Sequence, residues 1–165
     1  MKKYEFTGET KEIRLLFRTA TLHRIRATVA FGIVEVGDLG GWIEKEENLS
    51  HEGKAWVWGN AKVWGNAEVC GDAEVCGDAE VFSASHVLVI GAIGSRNDFT
   101  TFYRDKDNEI TVKCGCFLGK IDRFLEKVTQ THGDSKYALV YRAAVEVAKL
   151  QIDLSGEAPK DADEE

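Results

Sequence analysis

The sequence predicts a mainly β protein: a short left-handed β-helix (a hexapeptide-repeat solenoid) with a small C-terminal α+β cap. Five consecutive six-residue units fill residues 53–82, each reading Gly-x-Ala-x-Val and then Trp, Cys or Phe. Alanine and valine are two residues apart, so they share one face of a short strand. The glycine of each unit permits a corner with positive φ. A repeat of fixed period is typical of stacked coils.

The period also predicts which residues lie side by side. Three six-residue units make one coil in hexapeptide β-helices, so stacked neighbours are about 18 residues apart. Val57 is therefore expected beside Val75, Val63 beside Val81, and Lys62 beside Glu80 on the outer surface. Residues 41–49 are expected to form an imperfect first coil, and residues 83–88 to continue the register, which gives roughly three coils.

The predicted organisation has four parts. Residues 1–40 are an N-terminal strand segment that caps the solenoid, residues 41–90 are the left-handed β-helix, and residues 91–155 are the α+β cap. Within the cap we expect a hairpin of strands 99–104 and 109–117, then amphipathic helices at 121–132 and 136–152. Gly133 is expected to end the first helix. Residues 156–165 are rich in acids and are expected to be a disordered tail.

Composition limits the possible partners. The formal net charge of −7 argues against binding duplex nucleic acid by overall charge. No apolar run approaches the roughly 18 residues needed to span a bilayer, so no membrane partner is expected. The N-terminus lacks the apolar core of a secretory signal, and a cytoplasmic protein with four reduced cysteines is expected.

The residue after each repeat valine is apolar where a solvated corner would be polar. This surface needs a cover, which another subunit, the N-terminal segment or the C-terminal helices would supply. We take a homo-oligomer, with a trimer or a multiple of it favoured, as the working hypothesis. The predicted interface residues are Trp58, Trp64, Phe82 and Leu88.

The stretch from residue 91 to 103 favours a ligand site. Its glycines free the backbone, its hydroxyl, amide and guanidinium groups suit phosphate, and its aromatic residues suit a stacked base. The alternative is a domain junction in which Arg96 pairs with an acid. Two arginines of a basic N-terminal strand either join this site or pair with Glu68, Glu74 and Glu80. The candidate ligand-binding residues are Gly94, Ser95, Arg96, Asn97, Thr100, Arg24 and Arg26.

Metal and cofactor chemistry are not expected. Cys114 and Cys116 are predicted on one face of a strand and, with His132, offer a possible metal site. The Cys-x-x-Cys pairs of common zinc modules are missing, however, and small buried cysteines are the favoured interpretation.

Two parts of the sequence resemble phage proteins. Gly-Asp-Leu-Gly-Gly-Trp-Ile-Glu at residues 37–44, Glu-Asn-Leu-Ser at 47–50 and the repeats that follow resemble the YdcK-like family of phage and prophage hexapeptide-repeat proteins, over residues 20–82. Residues 91–133, with Gly-Ser-Arg-Asn and Cys-Gly-Cys-Phe, look like a small phage-type domain. The resemblance implies a β-helix and a viral source. Many hexapeptide β-helices are acyltransferases with a histidine base, for which His51 and His86 are the candidates.

These observations favour a non-catalytic, phage-encoded binding protein in the host cytoplasm. The hypothesis is that it antagonises a bacterial defence by sequestering a small anionic nucleotide signal in pockets between subunits. One alternative is a protein–protein interaction module that inhibits or assembles with a host or phage protein. The other is a hexapeptide-repeat acyltransferase.

Overall fold

The computed structural model describes residues 1–155 and 160–161. Two α-helices follow eleven strands, and a short twelfth strand comes last. The helices are α1 (Ile121–His132) and α2 (Lys136–Gln151). The strands are β1 (Tyr4–Arg14), β2 (Thr19–Ala27), β3 (Leu39–Ile43), β4 (Trp56–Val57), β5 (Lys62–Val63), β6 (Glu74–Val75), β7 (Glu80–Val81), β8 (Val87–Ile93), β9 (Asp98–Arg104), β10 (Ile110–Cys114), β11 (Phe117–Lys120) and β12 (Lys160–Asp161).

The strands form three sheets in the described part of the chain. A six-stranded sheet has the order β12-β1-β2-β3-β5-β7, a four-stranded sheet the order β11-β10-β9-β8, and β4 pairs with β6. Pairing is antiparallel from β12 to β3 and throughout the four-stranded sheet. It is parallel among the repeat strands and between β3 and β5.

The predicted left-handed β-helix with a small α+β cap is wrong as the fold class, although the mainly β content agrees with the structure. The repeat strands are only two residues long, and β5 and β7 extend a sheet that the long antiparallel strands β1 and β2 begin. Strands this short make too few ladder hydrogen bonds to stand alone. The architecture is therefore a set of small mixed and antiparallel sheets with two helices.

The predicted continuation of the repeat through residues 83–88 is also wrong. Ala84–His86 form a 3₁₀ turn, and β8 then leaves the repeat to join the antiparallel sheet. Ser83 precedes this turn, and its hydroxyl accepts the backbone N–H of Ser85. A serine cap of this kind starts a new element where the earlier units had a glycine corner.

The register predicted from the 18-residue spacing is confirmed. Val57 pairs with Val75, Val63 with Val81, and Lys62 with Glu80, all in parallel. Glu80, however, is buried, so its expected place on the outer surface is wrong. The repeat alanines and valines are at most 2% exposed, so they form one continuous core. Upstream, Trp42 and Ile43 pair in parallel with Lys62 and Val63, as expected of an imperfect first layer.

Other parts of the same chain cover the apolar corners in part. Trp64 is buried and stacks on Phe82 with ring centroids 4.8 Å apart, in a cluster that includes Ile13 and Leu22 of the N-terminal strands. Trp58 packs on the repeat core, and Leu88 packs against the helices. The corner surface that suggested a subunit interface is therefore covered in part within one chain: Trp64 is buried, and Trp58, Phe82 and Leu88 are half-buried.

Strand β9 joins the repeat to the helices. Tyr103 belongs to the repeat core and Phe102 to the helical core, because successive side chains of a strand point to opposite faces. The N–H of Glu74 donates to Thr101 Oγ1 at 3.0 Å, and the fully buried Arg104 donates to the carbonyl of Glu80 at 3.2 Å. The two cores are thus held against opposite faces of one strand.

The C-terminal elements follow the sequence closely, with one exception. Helix α1 has the predicted bounds and ends at Gly133 with φ of 56°, and α2 ends at Gln151, one residue before the predicted end. The second hairpin strand, however, ends at Cys114. Gly115 has φ of 57° and turns the chain into β11, so the expectation that Cys114 and Cys116 share one strand face is wrong.

The predicted disordered tail at residues 156–165 lies outside the described residues, apart from Lys160–Asp161, which pair with β1. Among the described helices, none is both long and apolar enough to cross a membrane.

The stacked core predicts a large cost for shortening an interior valine. Val63→Ala removes two methyl groups from a side chain that is 0% exposed, and the expected loss is about 2 kcal/mol of unfolding free energy. Val36→Ala is the matched control, because Val36 is 68% exposed and its replacement is expected to cost less than about 0.5 kcal/mol. Urea unfolding of both variants measures the difference. Equal midpoints would contradict the stacked core.

Candidate ligand-binding clefts

The first cleft, the Arg96 cleft, lies between the four-stranded sheet and the helices and encloses about 240 Å³. Its floor is Thr100 of β9 and Cys114 of β10, where Thr100 Oγ1 donates to Cys114 Sγ at 3.4 Å. Helix α1 supplies Lys127, Thr131 and His132. Further wall residues are Ser95, Arg96, Asp98, Gly115, Cys116, Phe117, Phe124, Val128 and Tyr141.

The β8–β9 turn places Arg96 at the mouth of this cleft. Gly94 and Asn97 have φ of 77° and 52°, and the N–H of Asn97 donates to the carbonyl of Gly94 at 3.2 Å. A Cβ on Gly94 would lie 1.9 Å from the Tyr141 hydroxyl, so close packing and backbone conformation both require glycine there. The guanidinium lies over the next turn, with Nη1 3.2 Å from where a Gly115 Cβ would be.

Tyr141 forms the back wall of the Arg96 cleft. Its ring centroid lies 5.7 Å from those of His132 and Phe124. Burial raises the pKa of the Tyr141 hydroxyl, the neighbouring Cys114 raises it further, and the positive charge of Arg96 opposes both. The hydroxyl is therefore a protonated hydrogen-bond donor at neutral pH.

Positive charge exceeds negative charge in the described lining of the Arg96 cleft. Arg96 and Lys127 face one carboxylate, Asp98, and the hydroxyls of Ser95, Thr100 and Thr131 add donors. The alternative in which Arg96 pairs with an acid is not seen, since no ion pair joins Arg96 to another described residue. A guanidinium with no ion pair among the described residues, at the mouth of a cleft, is suited to bind an external phosphate or carboxylate.

The second cleft, the Trp58 cleft, lies on the other side of the same sheet and encloses about 540 Å³. The repeat segment supplies Trp58, Asp72 and Glu74, and the sheet supplies Phe99, Thr101 and Lys113. Phe31, Gly32, Ile33, Val34, Lys54, Trp56, Asn97, Asp98 and Gly115 complete the wall. Acids outnumber lysines three to two in this described lining, and aromatic rings provide the apolar surface.

The candidate ligand residues divide into three groups. Ser95, Arg96 and Thr100 line the Arg96 cleft, and Asn97 lines the Trp58 cleft. Gly94 shapes the turn between them. Arg24 and Arg26 line neither cleft.

These two arginines lie on β2 and pair with acids of β1. Arg24 Nη1 is 3.6 Å from Glu9 Oε2, and its guanidinium lies 5.6 Å from the Trp42 ring centroid. Arg26 Nη2 is 2.5 Å from Glu5 Oε1. The partners are thus acids across the hairpin, and Glu68, Glu74 and Glu80 are not among them.

Sequence patterns did not single out the wall residues that α1 and α2 supply. Tyr141 matched the apolar stripe of α2 and was expected only as a core residue, whereas Lys127 and Thr131 lie on the solvent side of α1 by periodicity. Their approach to the β8–β9 turn depends on how the helices pack on the sheet. Gly94 was the one indication in the sequence, because a glycine often lies where another group approaches the backbone closely, but it does not show which residue that is.

All four cysteines are free thiols, and Cys116 is exposed while Cys114 is half-buried. Within the described residues, no three of the His, Cys, Asp and Glu side chains are grouped so as to hold a metal ion.

The two histidines proposed as acyltransferase bases have structural contacts instead. His86 Nδ1 accepts the N–H of Phe82 at 3.2 Å, and the ring is 3% exposed. His51 Nδ1 accepts the N–H of Lys3 at 3.0 Å, and the ring stacks on Tyr4. Because Nδ1 of each ring accepts a backbone N–H, the neutral ring carries its proton on Nε2 and has no basic nitrogen left, which disfavours the acyltransferase alternative.

Comparison with known proteins adds no relative: no family model matches the chain, and no curated protein matches it significantly. The resemblance to the YdcK-like phage family therefore remains an expectation from sequence motifs.

The contacts of His86 predict a dependence of stability on pH. Burial, and then the charge of Arg104, lower the pKa of His86 from its ordinary value of 6.5. Below that pH the unfolded chain takes up a proton that the folded chain resists, so the free energy of unfolding falls as pH falls from 6.5 to the folded pKa. His86→Asn keeps an acceptor for the Phe82 N–H and removes this titration.

Urea unfolding of both proteins on each side of this window measures the effect. The loss of stability on acidification is expected to be smaller in His86→Asn than in the wild type. Equal losses would show that His86 does not contribute to the acid sensitivity.

Proposed function

We propose that this protein is a non-catalytic binding protein that captures a small ligand of the nucleotide class through its phosphate, which binds in the Arg96 cleft. The observation that supports this most directly is the Arg96 guanidinium, which has no ion pair with a described residue and lines the Arg96 cleft together with Lys127 and three hydroxyl groups. Charge-assisted hydrogen bonds from such groups are the strong contacts of phosphate recognition.

The aromatic wall favours a nucleotide over inorganic phosphate. Phe117, Tyr141 and His132 in the Arg96 cleft, and Phe99 across the β8–β9 turn in the Trp58 cleft, give flat apolar surface on either side of the donors. Base stacking on such rings contributes affinity without requiring one particular base. The cleft forms within a single chain, so ligand capture does not require a pocket between subunits.

The biological role that we propose follows from the resemblance to phage proteins. In this proposal the protein acts in the host cytoplasm and removes a nucleotide signal of a bacterial defence by binding it. A binding protein with this task needs affinity and abundance, and no catalytic group.

Isothermal titration tests the proposed function. The probes are nucleoside monophosphates, cyclic mononucleotides and cyclic dinucleotides at low salt. At least one is expected to bind saturably, and Arg96→Ala is expected to weaken it by at least about tenfold, the value of a lost hydrogen bond to a charged group. Arg123→Ala is the matched control, because Arg123 is exposed on α1 and lines neither cleft. Flat titrations with every probe would contradict the proposal.

We also propose that the protein is a homo-oligomer in which α2 packs on a second copy. Leu139, Val147 and Leu150 are 60%, 48% and 89% exposed, and with the exposed Ala143 they form one stripe at spacings of four, four and three residues. Two antiparallel copies of such a stripe would bury it about a two-fold axis, so this proposal favours a dimer over the trimer of the working hypothesis. The stripe also lies on a helix whose other face is buried in the helical core.

Leu150→Glu is expected to shift the oligomer to monomer, because a carboxylate would be buried at the contact. Leu16→Glu is the matched control, since Leu16 is 88% exposed at the β1–β2 turn, outside α2. Sedimentation velocity of the three proteins measures the change. A monomeric wild type, or dissociation by Leu16→Glu alone, would exclude α2 as the self-association face and leave it as a surface for a host protein.

A further inference from the structure

The Arg96 and Trp58 clefts meet at one end of the four-stranded sheet. Asp98 and Gly115 line both clefts, and they lie at neighbouring turns where β9 begins and β10 has just ended. Along β9, Thr100 lines the Arg96 cleft while Phe99 and Thr101 line the Trp58 cleft. The clefts therefore occupy opposite faces of a single backbone layer and share its end, which we call the rim.

Arg96 is positioned at the rim itself. Its Nη1 atom is 3.2 Å from the site of a Gly115 Cβ, and Gly115 has no side chain to separate the guanidinium from the Trp58 cleft. An anion held by Arg96 thus lies within reach of both clefts.

The two clefts differ in charge. The described lining of the Arg96 cleft has two cations, Arg96 and Lys127, against Asp98. The described lining of the Trp58 cleft has three acids, Asp72, Glu74 and Asp98, against two lysines, Lys54 and Lys113. Glu74 Oε2 lies 3.6 Å from Lys113 Nζ. A carboxylate has more acceptor sites than one lysine fills, so Glu74 can still accept from a ligand N–H.

We infer that a nucleoside phosphate lies across the rim, with its phosphate on Arg96 and an amino-bearing base in the Trp58 cleft. This inference rests on the proposed function and adds the orientation and chemical class of the ligand. The ring of Phe99, which is 36% exposed, stacks on the base. The carboxylate of Glu74 accepts from the exocyclic amine, as acidic side chains do from the amino group of cytosine.

The natural mononucleotides provide the test. AMP, CMP and GMP carry an exocyclic amine and UMP does not, while inorganic phosphate has no base. Isothermal titration with all five probes is expected to show that at least one amino-bearing nucleotide binds more tightly than both UMP and inorganic phosphate.

Three variants locate the base. Phe99→Ala is expected to weaken the preferred nucleotide about tenfold and to leave the affinity for inorganic phosphate unchanged. Phe6→Ala is its control, because Phe6 is also 36% exposed but lies on β1 and lines neither cleft. Glu74→Gln is expected to reduce the difference in affinity between the preferred nucleotide and UMP.

The outcomes separate this inference from the proposed function. If nucleotides bind through Arg96 but no tighter than inorganic phosphate, and Phe99→Ala has no effect, the orientation across the rim is wrong and the proposed function stands. If none of the five probes binds and the wider nucleotide panel is also flat, both are wrong.

Discussion

The burial of β9 on both faces is the constraint on which the rest of the structure depends. Tyr103 is 0% exposed in the repeat core and Phe102 is 0% exposed in the helical core, one residue apart. Because side chains alternate along a strand, the same backbone segment anchors two otherwise separate cores. Arg104 adds a buried hydrogen bond to the repeat at Glu80. The spacing of the two clefts is fixed because β9 lines both of them, one on each face.

The hexapeptide period predicted local neighbours but not the fold. Its side-chain alternation determines that Val63 lies beside Val81, and this follows from backbone geometry alone. The sheet that the repeat strands join is set by residues outside the repeat. Strands β1 and β2 share eight paired positions, and β3, which pairs with β2, provides the edge to which the repeat strands add. Residues 1–40 contain no repeat, so their pairing could not be predicted from the period. The long antiparallel strands β1 and β2 make more backbone pairings than the repeat strands, each of which is two residues long, so they determine the sheet.

The candidate site shows the same division between local and tertiary information. Turn residues such as Arg96 and Ser95 were identifiable from the sequence, because glycines beside donors suggest a backbone that approaches a ligand. Lys127 and Tyr141 were not, since their role depends on how α1 and α2 pack against β8 and β9. Arg24 and Arg26 were misleading for a related reason. A basic strand shows no acid in its own sequence window, yet β1 supplies Glu5 and Glu9 across the hairpin.

The position of the polar groups also follows from the fold. Inside the sheet the ladder pairs the backbone groups of neighbouring strands, so backbone groups are most accessible to an external ligand where strands end. At the rim, the turns at Gly94 and Gly115 end the ladder, and both glycines have positive φ. Behind them, Thr100 and Thr101 are almost fully buried and hold the strand in place. Because β9 is buried on both faces, it anchors one end of the turn that carries Arg96, and this lowers the backbone entropy that the turn loses when a ligand binds.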